Sequence, residues 1–235
     1  MADVRAILFD LDDTLYPYQA FVKSGFRALA RRLATEHDLP VRPVLQVLRR
    51  ALAGEARGRE VQALCAHFHL PETLVPALVA TIRDHQPTLR LPRESAEALR
   101  SLRGSWRIGI LTNGTPAIQR RKIAALGVSE LVDAVMCATE CGSAQGKPAP
   151  SVFQTALARL EADAERTVFV GDDLTADIRG ARAVGMKTIH ITALRSAGAD
   201  NNGNCACGPH AQRLGAVPSL AEQLVPSTRT AHHAW

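Results

Sequence analysis

The chain has 235 residues, 46% apolar, 22% charged and 4% aromatic, with a formal net charge of +5. That is long enough for one large domain, or one domain carrying an insertion, around a proper core. No apolar run approaches the roughly 18 residues a membrane span needs, no signal segment is expected ahead of the first strand, and no dense basic block interleaved with aromatics suggests nucleic acid. The reading is therefore no membrane, no nucleic acid polymer, and a mild positive excess suited to drawing in an anionic substrate.

Val4 to Phe9 is an almost unbroken apolar run of strand length, as in a strand buried on both faces. It runs into Asp10, Asp12 and Asp13, three carboxylates within four residues, followed by Thr14. Like charges this close repel by about 4 kcal/mol at 4 Å in an intermediate dielectric, so the cluster points to a cation held among them. Hard oxygen ligands with a phosphate to share point to Mg2+. After Tyr16 and Pro17 the period becomes helical, with Val22, Phe26, Leu29 and Leu33 on one face. Lys23, Arg27 and Arg31 form a ladder on another face, either solvated or placed to attract the anionic end of a substrate. Tyr16 and Tyr18 lie where a hinge is expected, to touch a leaving group or to stack. Pro40 and Pro43 break the pattern, and Val44–Leu52, Val61–Phe68 and Leu74–Ile82 follow as short amphipathic segments. Residues 17–87 thus read as an all-helical cap inserted after the first strand, with 1–16 and 88–225 as the core domain and 226–235 as a mobile tail.

From Pro87 the rhythm alternates. Helices are predicted at Glu94–Arg103, Pro116–Leu126 (stopped by Gly127), Pro150–Leu160 and Ala176–Val184. Strands are predicted at Arg107–Leu111, Val132–Ala138, Thr167–Val170 and Lys187–Ile191. Short strands alternating with helices of about ten residues imply an α/β fold with a doubly wound parallel sheet, in which ligands bind at the carboxyl ends of the strands. The polar clusters fall at those ends: Asp10–Thr14, Thr112-Asn113 and Asp172-Asp173. Beyond this, 197–208 reads as a loop, and Leu214–Leu224 is expected to supply a last short strand and helix. The five cysteines read as reduced thiols of a cytoplasmic protein, with Cys137 and Cys141 packing rather than forming a redox pair. Cys205, Cys207 and His210 offer three soft ligands where a structural zinc site wants four, so that stretch reads as a loop with two thiols.

Asp10-Leu11-Asp12-Asp13-Thr14, Thr112-Asn113, Lys147-Pro148 and Gly171-Asp172-Asp173-Leu174-Thr175-Ala176-Asp177 resemble, in order, the four motifs of the haloacid dehalogenase-like (HAD) hydrolase superfamily. The resemblance spans residues 4 to about 193. The position of the insertion resembles the subfamily with a helical cap between the first two motifs, which includes phosphoglycolate phosphatases, 5′-nucleotidases, sugar phosphatases, β-phosphoglucomutases and 2-haloacid dehalogenases. It implies a Rossmann-like core, Mg2+ as cofactor and a small phosphorylated metabolite as partner.

Chemistry assigns the parts. Phosphoryl transfer needs an in-line nucleophile, charge neutralisation and a proton for the leaving alcohol. Asp10, first off the strand, is the expected nucleophile. Asp12 lies on the same side if the chain stays extended and is the expected general acid/base; the resemblance adds a metal contact through its backbone carbonyl. Asp13 points away and is replaceable by Gly or Asn. Thr14 is expected to support the loop by hydrogen bonding. Thr112 and the Asn113 backbone N–H are expected to hold a phosphoryl oxygen, and Lys147 to neutralise nucleophile and phosphate. Asp10, Asp12 and Asp172 are the expected metal ligands. Asp173 is expected to ligate or to hold Lys147, and Asp177 to orient a metal-bound water or favour the helix N-terminus. In dehalogenases of the family no acid stands at the position of Asp12, so the reading is a phosphatase, with a mutase, a dehalogenase or a non-catalytic binding protein as alternatives.

Overall fold

The computed structural model describes residues 4–192, 194 and 209–227. It comprises two compact units, Tyr18–Leu89 and the remainder, Met1–Pro17 with Arg90–Trp235.

The larger unit is built on a parallel sheet of β1 (Ala6–Phe9), β2 (Arg107–Thr112), β3 (Ala134–Cys137), β4 (Thr167–Gly171), β5 (Lys187–Ile191) and β6 (His210–Ala211), in the order β3-β2-β1-β4-β5-β6. This doubly wound order reverses direction at β1, the kind of strand whose carboxyl end opens a crevice for ligands. Ala6 pairs with both Arg107 and Thr167, and Phe9 with both Ile110 and Val170, so β1 is hydrogen-bonded on both edges. All four of its side chains are fully buried, which is why an unbroken apolar run suits it.

One face of the sheet, carrying Ala6, Leu8, Leu111, Met136 and Phe169, packs on Val152, Phe153, Ala156 and Leu160 of α7 (Pro150–Leu160). The Phe153 and Phe169 rings meet edge to face at 5.5 Å. Gly180 makes room for this pair, since a Cβ there would lie 2.7 Å from the Phe153 ring. Alternation turns Ile7, Phe9, Ile108 and Ile110 to the other face. The unit also holds α5 (Arg93–Leu102), α6 (Pro116–Leu126), α8 (Gly180–Ala183) and α9 (Val217–Leu224). Gly127 ends α6 in the left-handed region, at φ 61°.

Three expectations are corrected. The helix expected at Ala176–Val184 starts as a π-helical turn, Leu174–Arg179, which passes into α8; Ile178 N donates to Asp173 O across five residues. The last strand is β6, upstream of 214, while 214–224 is wholly helical; Pro209 O and Ala211 O accept from His190 N and Thr192 N and fix β6 beside β5. Pro43 does not interrupt a helix but sits in its first turn, where a missing N–H is tolerated. Cys205 and Cys207, the loop at 197–208 and residues 228–235 of the expected tail lie outside the described residues.

The smaller unit is all helical: α1 (Tyr18–His37), α2 (Val41–Ala53), α3 (Glu60–His67) and α4 (Val75–Asp84). Phe26, Leu29, Leu33, Val44, Leu48, Leu64 and Leu78 form its core. Gly25 lets α1 and α4 close, because a Cβ there would stand 2.7 Å from Ile82 Cγ2. Lys23 and Arg31 are exposed and Arg27 is half-buried. Tyr18 stacks on Phe21 at 6.0 Å. No helix among the described residues is long and apolar enough to cross a membrane.

Truncating Phe153 to Ala removes the ring at the centre of the larger unit's core and is expected to destabilise it by about 3–5 kcal/mol. Urea denaturation measures this, and a change under 1 kcal/mol would show a core that collapses freely around the gap.

Candidate active site

At the carboxyl edge of β1, β2 and β4 the chain brings four distant segments together. Asp10 follows β1, its backbone N–H donating to Val170 O at 2.9 Å. Lys147 Nζ lies 2.6 Å from Asp10 Oδ1 and 2.7 Å from Asp177 Oδ1, and it donates to Leu111 O at 2.9 Å. Lys147, Asp10 and Asp177 are all buried. Carboxylate oxygens of Asp10, Asp172 and Asp177 lie within 4.8 Å of one another.

Glycines make this convergence possible. A Cβ on Gly171, the last residue of β4, would collide with Asp177 Oδ2 and stand 2.5 Å from its Cγ. The Asn113 side chain clamps the Lys147 backbone, accepting from Lys147 N at 2.8 Å and donating to Lys147 O at 3.0 Å. Gly146, at φ 72°, clears the way, since a Cβ there would lie 2.5 Å from Asn113 Oδ1.

Burial pushes the Asp10 carboxyl up to about 8, and Asp177 and Asp12 add to the rise while Lys147 opposes it. For Lys147 burial works against the charge, but Asp10 and Asp177 overcome it and hold the ammonium above the usual lysine range. Burial is the main cause for Asp10 and the facing carboxylates are the cause for Lys147, because one ammonium faces more carboxylates than it neutralises.

Asp12 is turned elsewhere. The chain does not stay extended past it, because Asp13 takes a left-handed φ of 55°, a conformation that Gly and Asn adopt readily. The Asp12 carboxylate is held by Tyr16 OH at 2.5 Å, Lys122 Nζ at 2.7 Å and Gln119 Nε2 at 3.1 Å. Its side chain stands outside the cluster formed by Asp10, Asp172 and Asp177. Tyr16 thus reaches Asp12 through its hydroxyl. Thr14 is fully buried, yet its Oγ1 makes no hydrogen bond; the loop is closed instead by Asp13 N to Tyr16 O and Leu15 N to Leu11 O. Asp173 neither joins the cluster nor holds Lys147. Its Oδ1 accepts from Thr175 N at 2.7 Å and Ala176 N at 2.8 Å and so starts the π-helical turn. The lysine's partner is Asp177, which that turn carries inward.

Gln119 and Lys122 are the residues that sequence reading missed. On α6 they share a stripe with Ile123 and Leu126, at spacings of three, four and seven, and all four are buried. Two polar residues on the buried stripe of a helix that follows a polar strand end are the signal that would have found them. Cys137 and Cys141 are buried, and burial pushes both thiols up. Cys141 Sγ donates to Cys137 O at 3.4 Å. His210 Nε2 lies 3.1 Å from Thr192 Oγ1.

Three carboxylates of hard oxygen character meet at one point, with a single ammonium, Lys147, among them. That donor set fits a small divalent cation. Fold and site together define an α/β enzyme with a carboxylate-and-lysine centre at the carboxyl edge of its sheet. The chain belongs to the haloacid dehalogenase-like hydrolase family, whose model matches residues 4–185. It is 34% identical over 203 residues to a ribulose-1,5-bisphosphate 5-phosphatase of Halopiger xanaduensis, covering 78% of this chain and 83% of that one. It is 32% identical over 197 residues to a glyceraldehyde 3-phosphate phosphatase of Methanopyrus kandleri, covering 80% and 84%. The fold is shared with the HAD-hydrolase YfnB of Bacillus subtilis, a structure bound to magnesium, at a TM-score of 0.63 and 21% identity over 93% of this chain and 98% of that one.

Two outcomes are expected. Gly171→Ala pushes the Asp177 carboxylate off its place and weakens divalent-cation binding at least about tenfold, read by calorimetry, whereas unchanged affinity would remove Asp177 from the centre. A carboxyl whose folded pKa lies above its ordinary 3.8 lends stability that is complete below that value and is lost as pH climbs to about 8. In EDTA, the stability of Asp10→Asn relative to the native chain is therefore expected to rise from about pH 4 to about pH 8. Urea denaturation across that range reads it, and a pH-independent difference would mean that Asp10 ionises as freely folded as unfolded.

Proposed function

We propose that the protein is a Mg2+-dependent phosphatase that hydrolyses a small phosphomonoester through an aspartyl-phosphate on Asp10. The observation that carries this reading is Lys147 set between Asp10 and Asp177 with Asp172 beside them. The phosphatase relatives support it. The ion would be held by Asp10, Asp172, Asp177 and the Asp12 backbone carbonyl, and when bound it neutralises charge on the nucleophile and the phosphoryl oxygens.

Asp10 attacks phosphorus as the ester P–O bond breaks, and Asp12 gives the departing oxygen its proton. Asp12 then takes a proton from water as that water attacks phosphorus and the Asp10–phosphorus bond breaks, leaving inorganic phosphate. Thr112 and the Asn113 N–H hold the phosphoryl oxygens. Lys147 offsets the charge of Asp10 and of the phosphoryl group; its clamped backbone fixes where that charge sits. The acid at Asp12 favours an alkoxide leaving group over a halide.

The helical unit holds ten Lys and Arg against six Asp and Glu, which supports an anionic substrate. The free, buried Cys65, Cys137 and Cys141 support a cytoplasmic location.

Free phosphate is expected from members of a panel of phosphorylated metabolites with Mg2+, and none with EDTA. Asp10→Asn is expected to lower kcat at least about a thousandfold, and Asp12→Asn by about a hundredfold to ten-thousandfold. Chloride release from 2-chloropropionate without metal, with no phosphate release from any ester, would overturn the reading; conversion of a β-hexose 1-phosphate to the 6-phosphate without free phosphate would make it a mutase.

A further inference from the structure

Gln119 is a buried amide whose side chain reaches between two of the polar groups the reaction needs. Its Nε2 lies 2.6 Å from Thr112 Oγ1, 2.8 Å from Asn113 O and 3.1 Å from Asp12 Oδ2. A carboxylate and a peptide carbonyl only accept hydrogen bonds, so the NH2 end of the amide must face them. The third neighbour then has no choice: facing a pure donor, the Thr112 oxygen must accept. The Thr112 proton is thereby turned away from Gln119. Among the described residues its one other partner is Asn113 O, at a long 3.4 Å, so the proton is available to a better acceptor. Gly114 lies beside this amide at φ 122°, a conformation that residues with a side chain rarely adopt.

We propose that Gln119 is a positioning residue of this site: its amide turns the Thr112 hydroxyl into a dedicated donor for a phosphoryl oxygen and links that hydroxyl to Asp12. The inference rests on the phosphoryl-transfer reading. It assigns Gln119 an effect through Thr112 and Asp12, with no contact to the reacting atoms required. It also predicts an order of substitutions that side-chain volume alone does not. A Met keeps the volume and removes the donor. A Glu keeps the shape and reverses the polarity, capturing the Thr112 proton and repelling Asp12.

The test is calorimetric binding of inorganic phosphate to the full chain with Mg2+, alongside kcat and KM for p-nitrophenyl phosphate and the melting temperature. Phosphate affinity is expected to fall in the order native, Gln119→Met, Gln119→Glu, with about a tenfold to hundredfold loss for Glu, the worth of a hydrogen bond to a charged group. In a Thr112→Val background the Gln119→Met change is expected to leave phosphate affinity as it finds it, because the hydroxyl it orients is gone. Equal affinity in the native protein and both Gln119 variants would overturn the inference while the phosphatase reading stands. So would losses that track melting temperature and persist undiminished in the Thr112→Val background. A native protein that neither binds phosphate nor releases it from p-nitrophenyl phosphate would overturn both.

Discussion

The centre depends on a charge imbalance sealed in the protein. One ammonium, Lys147, sits within 2.7 Å of two buried carboxylates with a third, Asp172, beside them. Isolated, any of these charges would be costly to bury. Together they are tolerable but not neutral, and the residue of negative charge makes the spot attractive to a divalent ion and adds to the rise that burial gives the proton affinity of Asp10. Most of the surrounding architecture serves to keep that cluster from relaxing. The sheet anchors Asp10 through Val170, Asn113 grips the lysine's backbone, and bare glycines at 146 and 171 leave the space that side chains would fill.

A second layer sits on α6. Its buried stripe carries Gln119 and Lys122 against Asp12, so this carboxylate is held by a different segment from the one that carries the charged centre's Asp177. The two carboxylates of the first motif, Asp10 and Asp12, thus have separate environments: one faces Lys147 and the acidic cluster, the other an ammonium, an amide and a phenol. Two neighbouring carboxylates with distinct partners can carry the two distinct roles of nucleophile and proton carrier.

The fold was legible because its signals are local. Pro116–Leu126, Pro150–Leu160 and Lys187–Ile191 are bounded by proline, glycine and a change of period, and the structure has them at those residues. Asp10, Lys147 and Asp172 stood out because charge at the end of an apolar strand, or in a loop beyond one, needs an explanation. Asp173 and Asp177 were harder. Which of two acids in one segment caps and which turns inward depends on a hydrogen bond spanning five residues, and no periodicity in the sequence announces that. Gln119 and Lys122 were missed for a different reason. A helix is read by its apolar stripe, and polar residues on that stripe look like solvent-facing noise until a partner from another segment is placed opposite them.

The π-helical turn at Leu174–Arg179 has a consequence for how the gene can vary. Its widened loop of backbone is in effect one residue more than an ordinary helix would need. Deleting that extra residue would let the segment tighten to the α form, whereas the same deletion within an ordinary helix would turn everything beyond it by about 100° around the axis. A stretch that looks like a surface connection therefore sets, through its residue count, where the Asp173 cap and the inward Asp177 stand relative to each other.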